Sequence, residues 1–300
     1  MTYVLYNPKA NNGNGLENVK KIEGFFEGEI KFIDSAEIKD MKAFLTEIDK
    51  TDKVVIAGGD GTLNAFVNNI DGFDVKNDVY LYATGTGNDF VKDLEEHAKD
   101  GLIKINEYIQ NLPEVEVNGI KRKFINGVGY GIDGYCCEKG DEARAKGKKK
   151  VNYTAIAIKG ALYAYKPSDA KITVDGEERT YKKVWIAPTM NGRYYGGGMN
   201  VAPMQDRLNE DKTLSLVVMH GSGRLKTLIV FSSIFKGEHI KHTEMVDILT
   251  GKEITVEFTK PTSLQIDGET VLNVTKYTAR SNDKIKTVDI DKVEDDKLKI

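Results

Sequence analysis

Over its first 110 residues the chain alternates short apolar runs with stretches that place apolar residues at helical spacing, and few architectures accommodate that alternation. Residues 3–6, 53–57 and 79–82 are short and rich in strand formers, and each is followed within a few residues by glycine or by asparagine and proline. Between them Met41, Phe44, Leu45 and Ile48 fall at i, i+3, i+4, i+7, and Leu63, Phe66, Val67 and Ile70 repeat the pattern. That spacing is the buried stripe of a helix. Strand, helix and strand in succession predict β-α-β units around a mostly parallel sheet.

After Pro113 the texture changes. Ile172-Thr173-Val174 meets Asp175-Gly176, and Leu264-Gln265-Ile266 meets Asp267-Gly268, so two antiparallel hairpins are expected. Residues 152–165 and 224–238 carry helical spacing and are expected to cover one sheet of this half. Three hundred residues suit two domains sharing a cleft better than the alternative of one large α/β domain. The divisions expected are 1–115 for an α/β domain, 116–275 for a β-rich domain, and 276–300 for a C-terminal segment returning to the first.

The charge balance of 43 Lys+Arg against 46 Asp+Glu gives a net −3, which offers no general attraction to polyanions and disfavours nucleic acid as a partner. The only cysteines, Cys136 and Cys137, are sequence neighbours, which suits a reducing cytoplasm better than a disulfide framework. No window approaches the roughly 18 apolar residues of a membrane span, and the run from residue 1 straight into a strand leads one to expect no export leader. A cytoplasmic protein with at most peripheral contact at the inner membrane face is expected. The four histidines are scattered, and His239 with His242 lacks a third ligand for zinc.

Three loops point to phosphate. Gly58-Gly59-Asp60-Gly61-Thr62 stands between a strand and a helix, where glycines free the backbone N–H groups and the helix N-terminus favours an anion. A plain strand-to-helix turn fits the same residues. Asp60 suits an anion cradle only if it faces a metal ion or a sugar hydroxyl. Asn7-Pro8-Lys9 through Gly13 and Gly15 follows the first strand, without the Gly-Lys-Ser/Thr ending of a Walker loop. Thr84-Gly85-Thr86-Gly87-Asn88-Asp89 follows the strand at 79–82. In open α/β sheets ligands bind beyond the carboxyl ends of the strands, so the three loops are expected to converge.

Asn7-Pro8, Gly58 to Asn64, Gly85-Thr86-Gly87-Asn88-Asp89-Phe90 and the distant Ile266-Asp267-Gly268-Glu269, in this order, resemble the diacylglycerol kinase catalytic family, which includes sphingosine and ceramide kinases. The glycine-aspartate run is also shared with NAD kinases and resembles one in phosphofructokinases. The resemblance implies an α/β first domain of NAD kinase and phosphofructokinase type and an antiparallel, β-sandwich-like second domain. It implies an ATP site formed by Asn7, Pro8, Lys9, Gly13, Ser35, Gly58, Gly59, Gly61, Thr62, Asn64, Thr86, Asn88 and Asp89. It also implies magnesium, with Asp60 organising metal and nucleotide and Glu269 accepting the proton of a lipid hydroxyl. Without the resemblance Asp267-Gly268-Glu269 is a hairpin turn with a solvated glutamate, and Asp89 a helix N-cap.

Asp211, with the carbonyls of Leu208 and Thr213, resembles a structural magnesium site of bacterial members, but Lys212 stands where glycine is common. A solvated acidic turn is the simpler reading. Arg144, Lys146, Lys148, Lys149 and Lys150 precede the helix at 152–165, and that pairing suits either a solvated loop or contact with anionic lipid. The expected function is an ATP- and magnesium-dependent kinase of diacylglycerol or a related lipid alcohol, taking its substrate from a membrane surface. A homodimer through an exposed edge strand is a further expectation. An NAD kinase-like enzyme and a non-catalytic nucleotide or lipid sensor are the competing readings.

Overall fold

The computed structural model describes residues 1–8, 15–84, 88–99, 101–148 and 151–282. The first domain is a five-stranded sheet built from β1 (Thr2–Tyr6), β2 (Ile30–Asp34), β3 (Lys53–Gly58), β4 (Asp78–Ala83) and β5 (Leu102–Lys104), in the order β2-β1-β3-β4-β5. The first four are parallel, and β5 closes the edge antiparallel to β4. Helices α1 (Gly15–Val19), α2 (Met41–Glu47), α3 (Asp60–Asn69) and α4 (Asp89–Asp93) connect them, and the short α5 (Asn106–Ile109) leads out of the domain.

The two faces of this sheet explain the sequence pattern. Val54, Ile56, Leu63, Phe66 and Val67 pack on one side, while Val4, Val19, Ile22, Val55 and Ala57 pack on the other. A strand buried on both faces cannot alternate with polar residues, so it reads as a continuous apolar run. Asp40 caps α2 by accepting from Lys42 N and Ala43 N at 2.9 and 3.1 Å.

The strands of the second domain are β6 (Glu114–Val117), β7 (Ile120–Lys123), β8 (Gly127–Tyr130), β9 (Ser168–Val174), β10 (Glu177–Val184), β11 (Thr189–Met190), β14 (Leu214–Met219), β15 (Val246–Gly251), β16 (Glu253–Ile266) and β17 (Glu269–Arg280), with the small ribbon β12 (Tyr194–Tyr195) and β13 (Met199–Asn200) beside them. They form an antiparallel sheet whose path runs β15-β14-β11-β8-β16-β17-β6-β7. Both expected hairpins form: Asp175-Gly176 joins β9 to β10 and Asp267-Gly268 joins β16 to β17, each pair at positive φ. β16 pairs with β8, β9 and β17, so it is the spine of the sheet.

One face of this sheet encloses Val115, Tyr130, Ile172, Val256 and Tyr277. The other is covered by α6 (Ile132–Ala145), α7 (Tyr153–Lys159) with the wider turn Gly160–Ala164, and α8 (Arg224–Ser232), packed over Trp185, Ile186, Val217 and Met219. The helices at 152–165 and 224–238 therefore cover a sheet as expected, although each ends in a turn of different pitch. Tyr277 to Arg280, expected in a segment returning to the first domain, instead pair with Glu114–Val117 and complete the second sheet. The rest of that segment, from residue 283, lies outside the described residues.

Candidate active site

The four parallel strands end at one edge of the first sheet, and the loops leaving that edge carry most of the residues expected at a nucleotide. Asn7 and Pro8 leave β1, Ser35 opens the turn after β2, Gly58 to Thr62 join β3 to α3, and Thr84 and Asn88 flank the path from β4 to α4. Lys9, Gly13 and Thr86 lie outside the described residues, as do Lys149 and Lys150. A Cβ on Gly58 would stand 2.4 Å from Thr62 Oγ1, so only glycine lets Thr62 fold back over the end of β3. Gly61 has open space where a Cβ would point.

Asp60 is the first residue of α3, and its carboxylate reaches across to α4. Its Oδ2 accepts from Asp89 N at 2.8 Å and its Oδ1 from Phe90 N at 3.1 Å. Burial pushes the Asp60 carboxyl up to about 6, against the pull of those two amides, and the neighbouring Asp89 and Asp267 carboxylates push the same way. Asp89 in turn accepts from Gly197 N and Gly198 N at 2.8 and 2.6 Å, in the glycine loop of the second domain. Burial holds Asp89 above the usual carboxylate range, with the two glycine amides opposing.

Asp267, in the β16–β17 hairpin, gathers the backbone that leads into β8. Its carboxylate accepts from Ile125 N, Asn126 N and Gly127 N at 2.6, 2.8 and 3.0 Å, and from Asn64 Nδ2 at 2.6 Å. Burial raises its affinity for a proton and these donors lower it. Asn64, expected at the nucleotide, therefore faces the second domain: its amide joins α3 to Asp267, and its Oδ1 accepts from Arg122. Glu269 is exposed at the start of β17 and ion-pairs with the same Arg122.

A cavity of about 1180 Å³ opens from this point into the second domain. Gly59, Asp60, Asp89 and Asp267 form its polar head, and Tyr153, Ile158, Met199, Ile229 and Phe231 form an apolar wall between the covering helices. Gly268 also lines it, whereas its neighbour Glu269 does not. Asp133 also lines it, buried and accepting from Tyr195 Oη at 3.0 Å, with its carboxyl pushed up to about 6 by burial. Only its neighbours from the far β12 and β16 reveal that it faces the cavity.

The two domains are also locked by charge. Asp93 of α4 accepts from Arg193 Nε at 2.6 Å and from Arg207 Nε, and Arg207 also donates to Ile125 O and Asn126 Oδ1.

The Asp211 segment does not fit the magnesium site that the resemblance implies. The Thr213 carbonyl accepts from Gln205 Nε2 and Asn209 Nδ2, both at 3.0 Å, so side-chain amides already occupy its lone pairs. Lys212 sits at positive φ beside it.

Residues 1–117 match the family described as the diacylglycerol kinase catalytic domain, and residues 126–282 match the YegS C-terminal NAD kinase beta sandwich-like domain. The chain belongs to the diacylglycerol kinase family. It is a lipid kinase, and kinase chemistry implies a nucleotide as phosphate donor. A diacylglycerol kinase of Mycobacterium tuberculosis (strain CDC 1551 / Oshkosh) is 26% identical over 214 residues, covering 69% of this chain and 67% of that protein. A diacylglycerol kinase of Bacillus subtilis (strain 168) is 26% identical over 224 residues, covering 73% of this chain and 71% of that one. The crystal structure of a diacylglycerol kinase from Bacillus anthracis str. Sterne superposes with a TM-score of 0.64 at 21% identity, covering 94% of this chain and 93% of that one, which supports the same fold. No helix among the described residues is long and apolar enough to cross a membrane.

Proposed function

We propose that this lipid kinase transfers the terminal phosphoryl group of ATP, with magnesium, to the hydroxyl of diacylglycerol or a closely related lipid alcohol. The observation that carries this reading is the continuity of one cavity, whose polar head is the Gly59–Asp60 turn and whose body is apolar and wide enough for acyl chains. The names of the relatives favour diacylglycerol as the acceptor. ATP would lie on the loops after β1 to β4, with its terminal phosphate toward Gly59 and Gly61.

Phosphoryl transfer is mainly positioning and charge neutralisation. The carboxylates of Asp89 and Asp267 add to burial in raising the affinity of Asp60 for positive charge, which fits a cation or proton held beside phosphate oxygens. Magnesium is commonly held by one or two carboxylates together with phosphates and water, and Asp89 would be its holder here. Bound there, it would neutralise the charge of the transferred group.

The acceptor proton has two claimants. The resemblance assigns it to Glu269, whereas the cavity wall contains Asp60 and stops one residue short of Glu269. Asp60 therefore meets the acceptor oxygen first, and we assign it the proton. In the second reading, favoured by the position of Glu269 directly after the wall residue Gly268, Arg122 releases Glu269 when nucleotide binds.

Incubation with labelled ATP, magnesium and a panel of lipid alcohols in mixed micelles tests the function: no labelled lipid from any acceptor would overturn it. The variants Asp60→Asn and Glu269→Gln separate the claimants. If Glu269→Gln alone abolishes turnover while ATP affinity persists and Asp60→Asn retains activity, the proton belongs to Glu269.

A further inference from the structure

Three polar side chains interrupt the apolar body of the cavity. Asp133, Tyr195 and Gln265 all line it, and they are only 6%, 3% and 4% exposed. Gln265 stands on the spine strand β16, directly opposite Gly129 of β8. A Cβ on Gly129 would stand 2.2 Å from Asp133 Oδ2 and 2.5 Å from Gln265 Nε2, so the two atoms converge on the bare face of that glycine. A polar group buried against apolar surface costs free energy unless it finds a partner. The hydrogen bonds these three make within the protein therefore define what they offer a ligand.

The Gln265 amide is oriented by the hairpin. Its Oε1 accepts from Gly268 N at 2.6 Å, which fixes the oxygen end and leaves Nε2 as the end beside Asp133. Asp133 is held in turn, its Oδ1 accepting from Gly134 N and its Oδ2 from Tyr195 Oη, both at 3.0 Å. An amide nitrogen carries two hydrogens. A carboxylate beside it claims one, and the other is left for whatever fills the cavity. Only a group with a lone pair satisfies that hydrogen. Gly268 is itself a wall residue, next to Asp267, whose charge acts on Asp60. Gln265 thus sits one hydrogen bond from the polar head, close to where the acceptor's hydroxyl reacts.

We propose that Gln265 reads the ester carbonyl next to the reacting hydroxyl of the acceptor, with Asp133 and Tyr195 as positioning residues that hold its amide. Nε2 donates to the carbonyl oxygen, which stops the acceptor at the depth where its free hydroxyl meets Asp60. An alcohol of the same length with ether links presents a similar apolar surface but a much poorer hydrogen-bond acceptor. It covers the Nε2 hydrogen without satisfying it, so the site rejects it. The inference deepens the diacylglycerol reading and rests on it for the identity of the acceptor.

The test compares dioctanoylglycerol with dioctylglycerol, which differ only in their carbonyls. Both are measured against the full chain in equilibrium dialysis without ATP, and as acceptors with labelled ATP and magnesium. Wild type should favour the diester about 10–100-fold in affinity and in kcat/KM. Gln265→Met keeps the length of the side chain and removes the donor, and its preference should fall to near unity. Asp133→Asn keeps an oxygen for Tyr195 but presents no carboxylate to Nε2, so it should lower the preference part of the way with KM for ATP unchanged. Damage to the fold lowers both acceptors together and leaves their ratio alone, so a ratio that moves marks recognition.

Equal affinity of wild type for the two alcohols would overturn the proposal, and so would a preference that survives Gln265→Met. Were Gln265→Met not to fold, an unchanged preference in Asp133→Asn would overturn it by itself. Discrimination in dialysis with no phosphorylation of any lipid would sink the assigned reaction and leave Gln265 its role. Phosphorylation of both alcohols at equal kcat/KM would do the reverse.

Discussion

Replacing Asp93 by alanine should unfasten the two domains at a calculable cost. Asp93 and Arg207 are almost sealed from water, with side chains 3% and 4% exposed, whereas Arg193 is 41% exposed. Asp93→Ala leaves the Arg207 guanidinium buried over the Phe90 ring with Ile125 O and Asn126 Oδ1 as its remaining hydrogen-bond acceptors, neither of them charged. Breaking a buried pair from one side costs about 3–5 kcal/mol, because an uncompensated charge remains inside. The same logic makes the cost recoverable. Asp93→Leu with Arg207→Met removes both charges, and the double variant should be more stable than Asp93→Ala by about 2 kcal/mol. Urea unfolding is followed by the fluorescence of Trp185, the single tryptophan, buried in the second domain, and by circular dichroism, which also sees the first. In Asp93→Ala the two signals should separate as the domains uncouple. A loss below about 1 kcal/mol for the single variant, or additive losses in the double, would refute the argument that buried charge is what locks the cleft.

Asp133 gives a pH signature. Its carboxyl is raised from 3.8 to about 6 by burial, so its contribution to stability is fully present below pH 3.8 and is lost as pH rises through about 6. Relative to Asp133→Asn, wild type should therefore lose up to about 3 kcal/mol between pH 4 and 7, taking about 1.4 kcal/mol for each tenfold gain in proton affinity on folding; parallel thermal-melt profiles would refute it. Gly134→Ala should destabilise by about 3 kcal/mol, since its Cβ would stand 1.9 Å from Ser263 O and force α6 away from β16; an unchanged urea midpoint would refute it. Gly61→Ala, by contrast, meets nothing within 4 Å. It should keep its melting temperature while weakening nucleotide binding at least about tenfold in a titration with ATP, because the methyl projects into the space assigned to phosphate; full ATP affinity would refute that assignment.

The first domain was legible because its signals are local. A strand, a glycine turn and a helical stripe fit within some twenty residues, and β1, β3, β4, α2 and α3 formed where the periodicity placed them. The hairpins at Asp175 and Asp267 were legible for the same reason. Helix α6 was hidden. Its first turn is Ile132-Asp133-Gly134, and the buried residues Gly134 and Gly140 offer close backbone approach rather than an apolar stripe. The loops of the site were legible as glycine and asparagine clusters. What they touch was not, because the partners are far apart in sequence. Asp89 meets Gly197 and Gly198, Asp93 meets Arg193 and Arg207, and Asn64 meets Asp267. No local pattern records such pairs. Glu269 illustrates the limit from the other side, since its motif was readable while its ion pair with Arg122 and its place outside the cavity wall were not.

The position of β16 and β17 at the centre of the second sheet has a consequence for the birth of the protein. Ile125 waits 142 residues for the Asp267 carboxylate that will hold its amide. At about 5–20 residues per second, a ribosome needs roughly 7–30 s to supply it. During that interval the first domain can fold, but β8 and β9 have emerged without the spine to which they will pair. Their open edges are then available to other chains, and the polar head of the cavity cannot close. The candidate site is thus completed only when the β16–β17 hairpin is made, long after the loops proposed to hold the nucleotide have emerged.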